Sequence, residues 1–65
     1  MYTLVGLNGN AYSIISYVKN AMRKEGFSQE EINEYYSKAT SGDYTNLINV
    51  SEEQILAANI LAEKI

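Results

Sequence analysis

The order of apolar and polar residues predicts a short strand and then an amphipathic helix at the start of the chain. Residues 2–7 form an apolar run rich in β-forming side chains, and the turn-forming residues 8–10 follow it. Asn10 is a good N-cap for a helix over residues 11–25, because its side chain can accept a hydrogen bond from a free backbone N–H group. The apolar residues of this helix fall on one face at about 100° per residue, which is typical of a helix packed on a core.

A helical hairpin is predicted next, because the chain carries signals for the end of one helix and the start of another. Gly26 can end the first helix in a left-handed conformation, and Phe27 is expected to be buried between the ends of the two helices. Ser28 and Glu31 have the spacing of a capping box, which predicts a second helix over residues 29–40. Only two residues join these helices, so we expect a tight hairpin.

The last third of the chain predicts a second strand and a third helix. Residues 41–43 have turn chemistry, and residues 44–50 contain enough β-forming side chains for a strand. Ser51 and Gln54 have the spacing of another capping box. The third helix is therefore expected over residues 52–65.

These elements predict a single α+β domain over residues 1–65 with the order β-α-α-β-α. A helical hairpin between two strands reverses the chain, so we expect a short two-stranded antiparallel sheet beside three helices. A chain of 65 residues buries only about 60% of the surface that its unfolded form exposes, so its stability is marginal. Cys and His are absent, which excludes disulfides and Cys/His zinc sites. We expect no metal and no cofactor, and either tidy helix packing or association with a second chain.

Charge and hydropathy argue against two classes of partner. The chain has eight acidic and five basic residues and a net charge of −3, which disfavours general nucleic-acid binding. No apolar run approaches the roughly 20 residues that a membrane span requires. The first residues lack the basic and apolar parts of a signal peptide. We therefore predict a cytoplasmic protein with no nucleic-acid partner and no membrane partner.

The residue types present also argue against catalysis. Without His or Cys, no nucleophile paired with a histidine can be built. The paired carboxylates Glu30/Glu31 and Glu52/Glu53 fall in the first turns of predicted helices, where they offset the positive end of the helix dipole. We expect no enzyme activity and name no catalytic residue.

Two loops are candidate binding segments for a ligand or a partner. They are Asn8, Gly9, Asn10 and Tyr12 around the start of the first helix, and Ser41, Gly42, Asp43 and Tyr44 before the second strand. Free backbone N–H groups in the first loop could hold a phosphate, and Tyr12 or Tyr44 could stack on a base. The predicted topology puts both loops at one pole, so we expect them to be in contact. The alternative is that both are only turns and caps.

The last predicted helix has apolar residues on two sides. One face is expected to pack on the domain, while Leu56 and Ile60 lie a full turn apart on the opposite side, among Glu52, Glu53, Glu63 and Lys64. A terminal helix that is apolar on two sides usually packs on its own domain with one side and on a second protein chain with the other. We therefore predict self-association through Leu56 and Ile60, with a twofold dimer favoured. The edge of the predicted sheet is the alternative contact. A further alternative is that the strand pair and the helical hairpin cover both sides of the last helix.

Four segments of the chain carry a family resemblance. They are Gly9-Asn10-Ala11-Tyr12, Gly26-Phe27, Ala39-Thr40-Ser41-Gly42-Asp43-Tyr44 and Asn46-Leu47-Ile48. Over most of residues 4–50 the chain resembles a group of short uncharacterised proteins encoded by phages, prophages and other mobile elements of bacteria. The Ala-Thr-Ser-Gly-Asp-Tyr string is the most specific part, and the C-terminal helix matches less well. The resemblance implies a mobile-element origin and an intracellular setting, and it supplies no activity.

The leading hypothesis is a non-enzymatic interaction protein of a mobile element that forms a homo-oligomer and binds a host or phage protein. The alternative is a small-ligand protein that binds or sequesters a nucleotide-like molecule through the two loops. A third possibility is an accessory fragment of a larger complex, which would be unfolded in isolation.

Overall fold

Three α-helices form the fold in the computed structural model, which describes residues 1–63. Helix α1 spans Ala11–Lys24, α2 spans Gln29–Ala39 and α3 spans Tyr44–Ala62, and each helix packs against the other two. Residues 1–63 contain no strand. The predicted α+β class and its two-stranded antiparallel sheet are therefore wrong, and the protein is a small three-helix bundle. Ile65, at the end of the predicted third helix, lies outside the described residues.

The helical hairpin forms as predicted, because its signals are local. The side chain of Asn10 accepts a hydrogen bond from the backbone N–H of Tyr12 at the start of α1. Gly26 has φ of 88°, and the N–H of Phe27 donates to the carbonyl of Met22 at 3.0 Å, so α1 ends in a Schellman motif. Phe27 is half-buried rather than enclosed, and it packs on the edge of the core.

The start of α2 also follows the prediction. Ser28 accepts a hydrogen bond from the N–H of Glu31 at 3.1 Å, and the carboxylate of Glu31 accepts one from the N–H of Ser28 at 2.8 Å. This reciprocal pair satisfies two backbone donors that the first helical turn leaves free.

Residues 44–50, predicted as a strand, form the first two turns of α3. Asp43 is the N-cap of this helix, and its carboxylate accepts a hydrogen bond from the N–H of Asn46 at 3.0 Å. The cap starts the helix eight residues before the position that the sequence suggested. The β-forming side chains of this segment therefore pack at helical spacing, which overrides their local preference.

Ser51, predicted as an N-cap, lies in the interior of α3. It is fully buried, and its hydroxyl shares a hydrogen bond of 2.7 Å with the hydroxyl of Tyr35 from α2. Leu47, Ser51 and Ile55 are one turn apart and face the core together. The core consists of Ile14, Val18, Ala21, Met22, Ile32, Tyr35, Ala39, Leu47 and Ile55.

Residues 2–7, predicted as the first strand, are held against the helices by side chains instead of by a second strand. The side-chain amide of Asn59 in α3 accepts a hydrogen bond from the backbone N–H of Tyr2 at 2.7 Å and donates one to the backbone carbonyl of Tyr2 at 2.9 Å. The hydroxyl of Tyr17 in α1 accepts from the N–H of Thr3 at 3.0 Å. These contacts satisfy backbone groups that a strand ladder would otherwise pair.

Candidate functional site

The two loops predicted to lie together are in contact. The hydroxyl of Tyr44 donates a hydrogen bond to the carbonyl of Gly9 at 2.7 Å, across 35 positions of the chain. The contact joins the loop before α1 to the first residue of α3. It forms although residues 1–63 contain no sheet, because the hairpin itself returns the chain to this end of the bundle.

The first loop uses its own polar groups. The side chain of Asn8 accepts from the N–H of Asn10 at 3.0 Å, and the side chain of Asn10 accepts from the N–H of Tyr12 at 2.8 Å. Two of the N–H groups that an anion at this helix start could use are already bonded. The arrangement therefore favours a capping role for Asn8 and Asn10 over a phosphate site.

The second loop is equally committed to structure. Asp43 caps α3, and the hydroxyl of Ser41 donates to the carbonyl of Lys38 at 2.8 Å. A Cβ atom on Gly42 would lie 3.0 Å from the Cβ of Asn46, so a larger residue at this position would crowd that side chain. The amide of Asn46 in turn donates to the carbonyl of Lys38 at 2.8 Å, which ties α3 to the end of α2.

Tyr44 is the part of these loops that stays available to a partner. Half of its surface is exposed, and it lies between two shallow clefts, one containing Ala11 and Leu47 and the other Leu7 and Ile48. Lysine and arginine are absent among the described residues that line either cleft. A negatively charged ligand would find no positive charge beside Tyr44.

A groove between α1 and α2 carries the positive charge that the loops lack. This basic groove is lined by Tyr12, Ile15, Ser16, Lys19, Asn20, Arg23 and Tyr36 and has a volume of about 580 Å³. The ammonium of Lys19 lies 5.1 Å from the centre of the Tyr36 ring. The guanidinium of Arg23 donates to the side chain of Asn20 at 3.1 Å. Both contacts position a cation without neutralising it.

Tyr12, predicted as part of a loop site, lies in the basic groove. Its ring is 77% exposed there, at the opposite end of the groove from Arg23. The helical spacing of Tyr12, Lys19 and Arg23 predicts that these residues share one side of α1. It does not predict that Tyr36 of α2 lies beside them and completes the groove.

Charge is distributed unevenly over the three helices. Helix α1 contains Lys19, Arg23 and Lys24 and no acidic residue. Helix α2 carries three glutamates against one lysine, and α3 carries Glu52 and Glu53 with no basic residue. The molecule therefore has a positive side along α1 and negative sides along α2 and α3.

Leu56 and Ile60 lie on the surface, where the sequence placed them. Leu56 is 63% exposed and Ile60 is 55% exposed. Val5, from the N-terminal segment, lines a shallow cleft together with Leu56. We call Val5, Leu56 and Ile60 the outer patch. Leu61, near the end of α3, is 40% exposed, because the 19-residue α3 is longer than the other two helices.

Two tyrosines have raised pKa values, and neither lies in the basic groove. The hydrogen bond from the Tyr2 hydroxyl to the carboxylate of Glu25, together with partial burial, raises the pKa of Tyr2 to about 12. Burial raises the pKa of Tyr35, and its hydrogen bond with Ser51 opposes the change. Both shifts lead away from neutral pH, so both hydroxyls stay protonated there.

Comparison with protein-family models, curated proteins and solved structures gave no match. The resemblance to mobile-element proteins therefore stays a prediction. Residues 1–63 contain no cluster of three side chains suited to a metal ion. Within the same part of the chain, no helix has both the length and the apolar character needed to cross a membrane.

Proposed function

We propose that this protein is a non-catalytic interaction protein that self-associates through the outer patch. One observation carries the proposal: Leu56 and Ile60, a full turn apart on α3, expose more than half of their surfaces. Val5 extends the apolar surface from the N-terminal segment. An exposed apolar surface with a polar rim is typical of a protein–protein contact.

The size of the outer patch suits a reversible contact. Full burial of a leucine, isoleucine or valine side chain is worth about 1.5–3 kcal/mol. Three such side chains on each copy must offset the roughly 4–15 kcal/mol that association costs in lost freedom of motion. We therefore expect an affinity on the order of micromolar. A small domain without disulfides also gains stability when a second copy covers part of its surface.

The double substitution Leu56→Glu with Ile60→Glu tests the proposal. Both side chains are exposed, so the variant should keep its helical circular dichroism while light scattering shows a monomer. Asn33→Glu with Ser37→Glu is the matched control, since it puts the same two charges one turn apart on the exposed side of α2. A variant at Leu56 and Ile60 that associates as tightly as the wild type would exclude the outer patch.

The setting of this contact is part of the proposal. Following the resemblance, we assign the chain to a mobile element and to the host cytoplasm, where a host or phage protein would be a further partner of the outer patch. The genes next to this one test the assignment directly. Neighbours with no phage or transposition genes would count against it.

A nucleotide-like ligand at the two joined loops is the second candidate function. It is supported by the contact between Tyr44 and Gly9 and opposed by the internal use of the loop N–H groups. A thermal-shift screen with ribonucleoside monophosphates tests it. A rise of several degrees that Tyr44→Ala abolishes would favour the ligand, and an unmoved melting temperature would exclude it.

A further inference from the structure

We infer that the basic groove of a second copy receives the outer patch, so that two different faces of the chain meet. The inference rests on the proposed self-association and names the surface that takes part in it. The contact would be heterologous, which means that each copy offers one patch and one groove.

The acidic surroundings of the outer patch argue against a contact between two α3 helices. Glu52 and Glu53 lie one turn before Leu56, and Glu63 lies one turn after Ile60, and all three glutamates are exposed. A twofold contact through α3 would bring both sets of carboxylates together around a small apolar centre. Among the described residues of α3, Tyr44–Ala62, no basic residue offsets this repulsion.

The basic groove has the opposite charge and a suitable floor. Lys19 and Arg23 are one turn apart on α1, a helix without acidic residues. Between the helices, Ile15 and the rings of Tyr12 and Tyr36 supply apolar surface for two aliphatic side chains. Within residues 1–63, Lys19 contacts the ring of Tyr36 and Arg23 donates to the amide of Asn20, and neither of these partners is a carboxylate. Both charges are thus available to the glutamates of a second copy.

The two surfaces also agree in length. Eleven positions separate Tyr12 from Arg23, and eleven positions separate Glu52 from Glu63. At 1.5 Å per residue, each stretch is about 16 Å long. A second copy's α3 would therefore lie along the groove as a fourth helix, with its apolar side chains on the floor and the paired carboxylates Glu52 and Glu53 at the cations, which lie at one end of the groove.

Two variants separate this arrangement from a twofold dimer. Lys19→Glu with Arg23→Glu disables the groove, and Leu56→Glu with Ile60→Glu disables the patch. Each variant alone should be monomeric in analytical ultracentrifugation, with self-association weakened at least tenfold. A one-to-one mixture should form a heterodimer, because each variant still has the face that the other lacks. Its mass should be twice 7.3 kDa.

Lys24→Glu with Lys38→Glu is the matched control, since it makes the same change of charge at exposed lysines that do not line the groove. It should associate like the wild type. Circular dichroism checks the fold of every variant, and Arg23→Glu alone replaces the groove variant if that variant unfolds. A groove variant that associates like the wild type, or a mixture that stays monomeric, would overturn the heterologous contact and leave α3 to meet its own copy. A monomeric wild type would instead overturn the proposed function.

Discussion

Ser51 is a polar side chain in an apolar core, and its partner determines what its loss costs. Ser51→Ala leaves the buried hydroxyl of Tyr35 without its hydrogen bond, so the free energy of unfolding should fall by about 1–3 kcal/mol. The double variant with Tyr35→Phe removes both hydroxyls and should recover most of this loss. Urea denaturation measures the free energy of unfolding of the wild type, the two single variants and the double variant. Additive losses would mean that the two hydroxyls do not interact.

Tyr2 makes the docking of the N-terminal segment on the helices sensitive to high pH. Its pKa is about 12 in the folded chain against an ordinary value of 10.0, because its hydroxyl donates to Glu25. The folded state therefore holds this proton more tightly, and the stabilisation is complete below pH 10 and is lost as the pH rises towards 12. Docking of residues 2–7 should weaken over that interval.

Ultraviolet absorption follows tyrosinate formation as the pH rises. Subtracting the titration curve of Tyr2→Phe from that of the wild type gives the ionisation of the Tyr2 hydroxyl. The difference curve should have its midpoint near pH 12, and Glu25→Gln should lower it. A midpoint at the ordinary value in the wild type would show that Tyr2 does not bond to Glu25.

At the scale of the element, Asp43 decides where α3 begins. Asp43→Ala removes the cap of the first turn and should cost about 1 kcal/mol, while Asp43→Ser should keep most of the stability. Backbone chemical shifts of residues 44–50 should report helix in the wild type and fraying in Asp43→Ala. Strand-like shifts for these residues in the wild type would contradict the three-helix fold.

The elements that the sequence predicts correctly are those fixed by neighbouring residues. Asn10, Gly26 and the pair Ser28–Glu31 each act within one or two turns, so the hairpin follows from local rules. The helical structure of residues 44–50 does not follow from local rules. The helix continues through Ser51, and the hydrogen-bond partner that lets this polar residue be buried lies on another helix.

The candidate surfaces divide in the same way. Exposure of Leu56 and Ile60 follows from helical periodicity alone, and it is confirmed. The basic groove needs Tyr36 from α2 beside Lys19 from α1, which only the packing of the two helices provides. The N-terminal segment likewise depends on Asn59, 57 positions away.

At the scale of the whole molecule, the separation of charge predicts how salt acts on association. If the outer patch of one copy meets the basic groove of the next, opposite charges attract, and added salt screens them. Raising the ionic strength from about 0.01 M to 1 M shortens the Debye length from about 30 Å to 3 Å and should weaken the association measured by light scattering. A contact between two acidic α3 surfaces would strengthen instead.

Sedimentation equilibrium of the wild type over a wide range of concentration tests whether the chain self-associates through the outer patch. We predict an average mass that rises above the 7.3 kDa of one chain as the concentration increases, and that stays at this value in the Leu56→Glu, Ile60→Glu variant. A wild type that sediments as a single 7.3 kDa species up to the highest concentration would show that the chain does not self-associate.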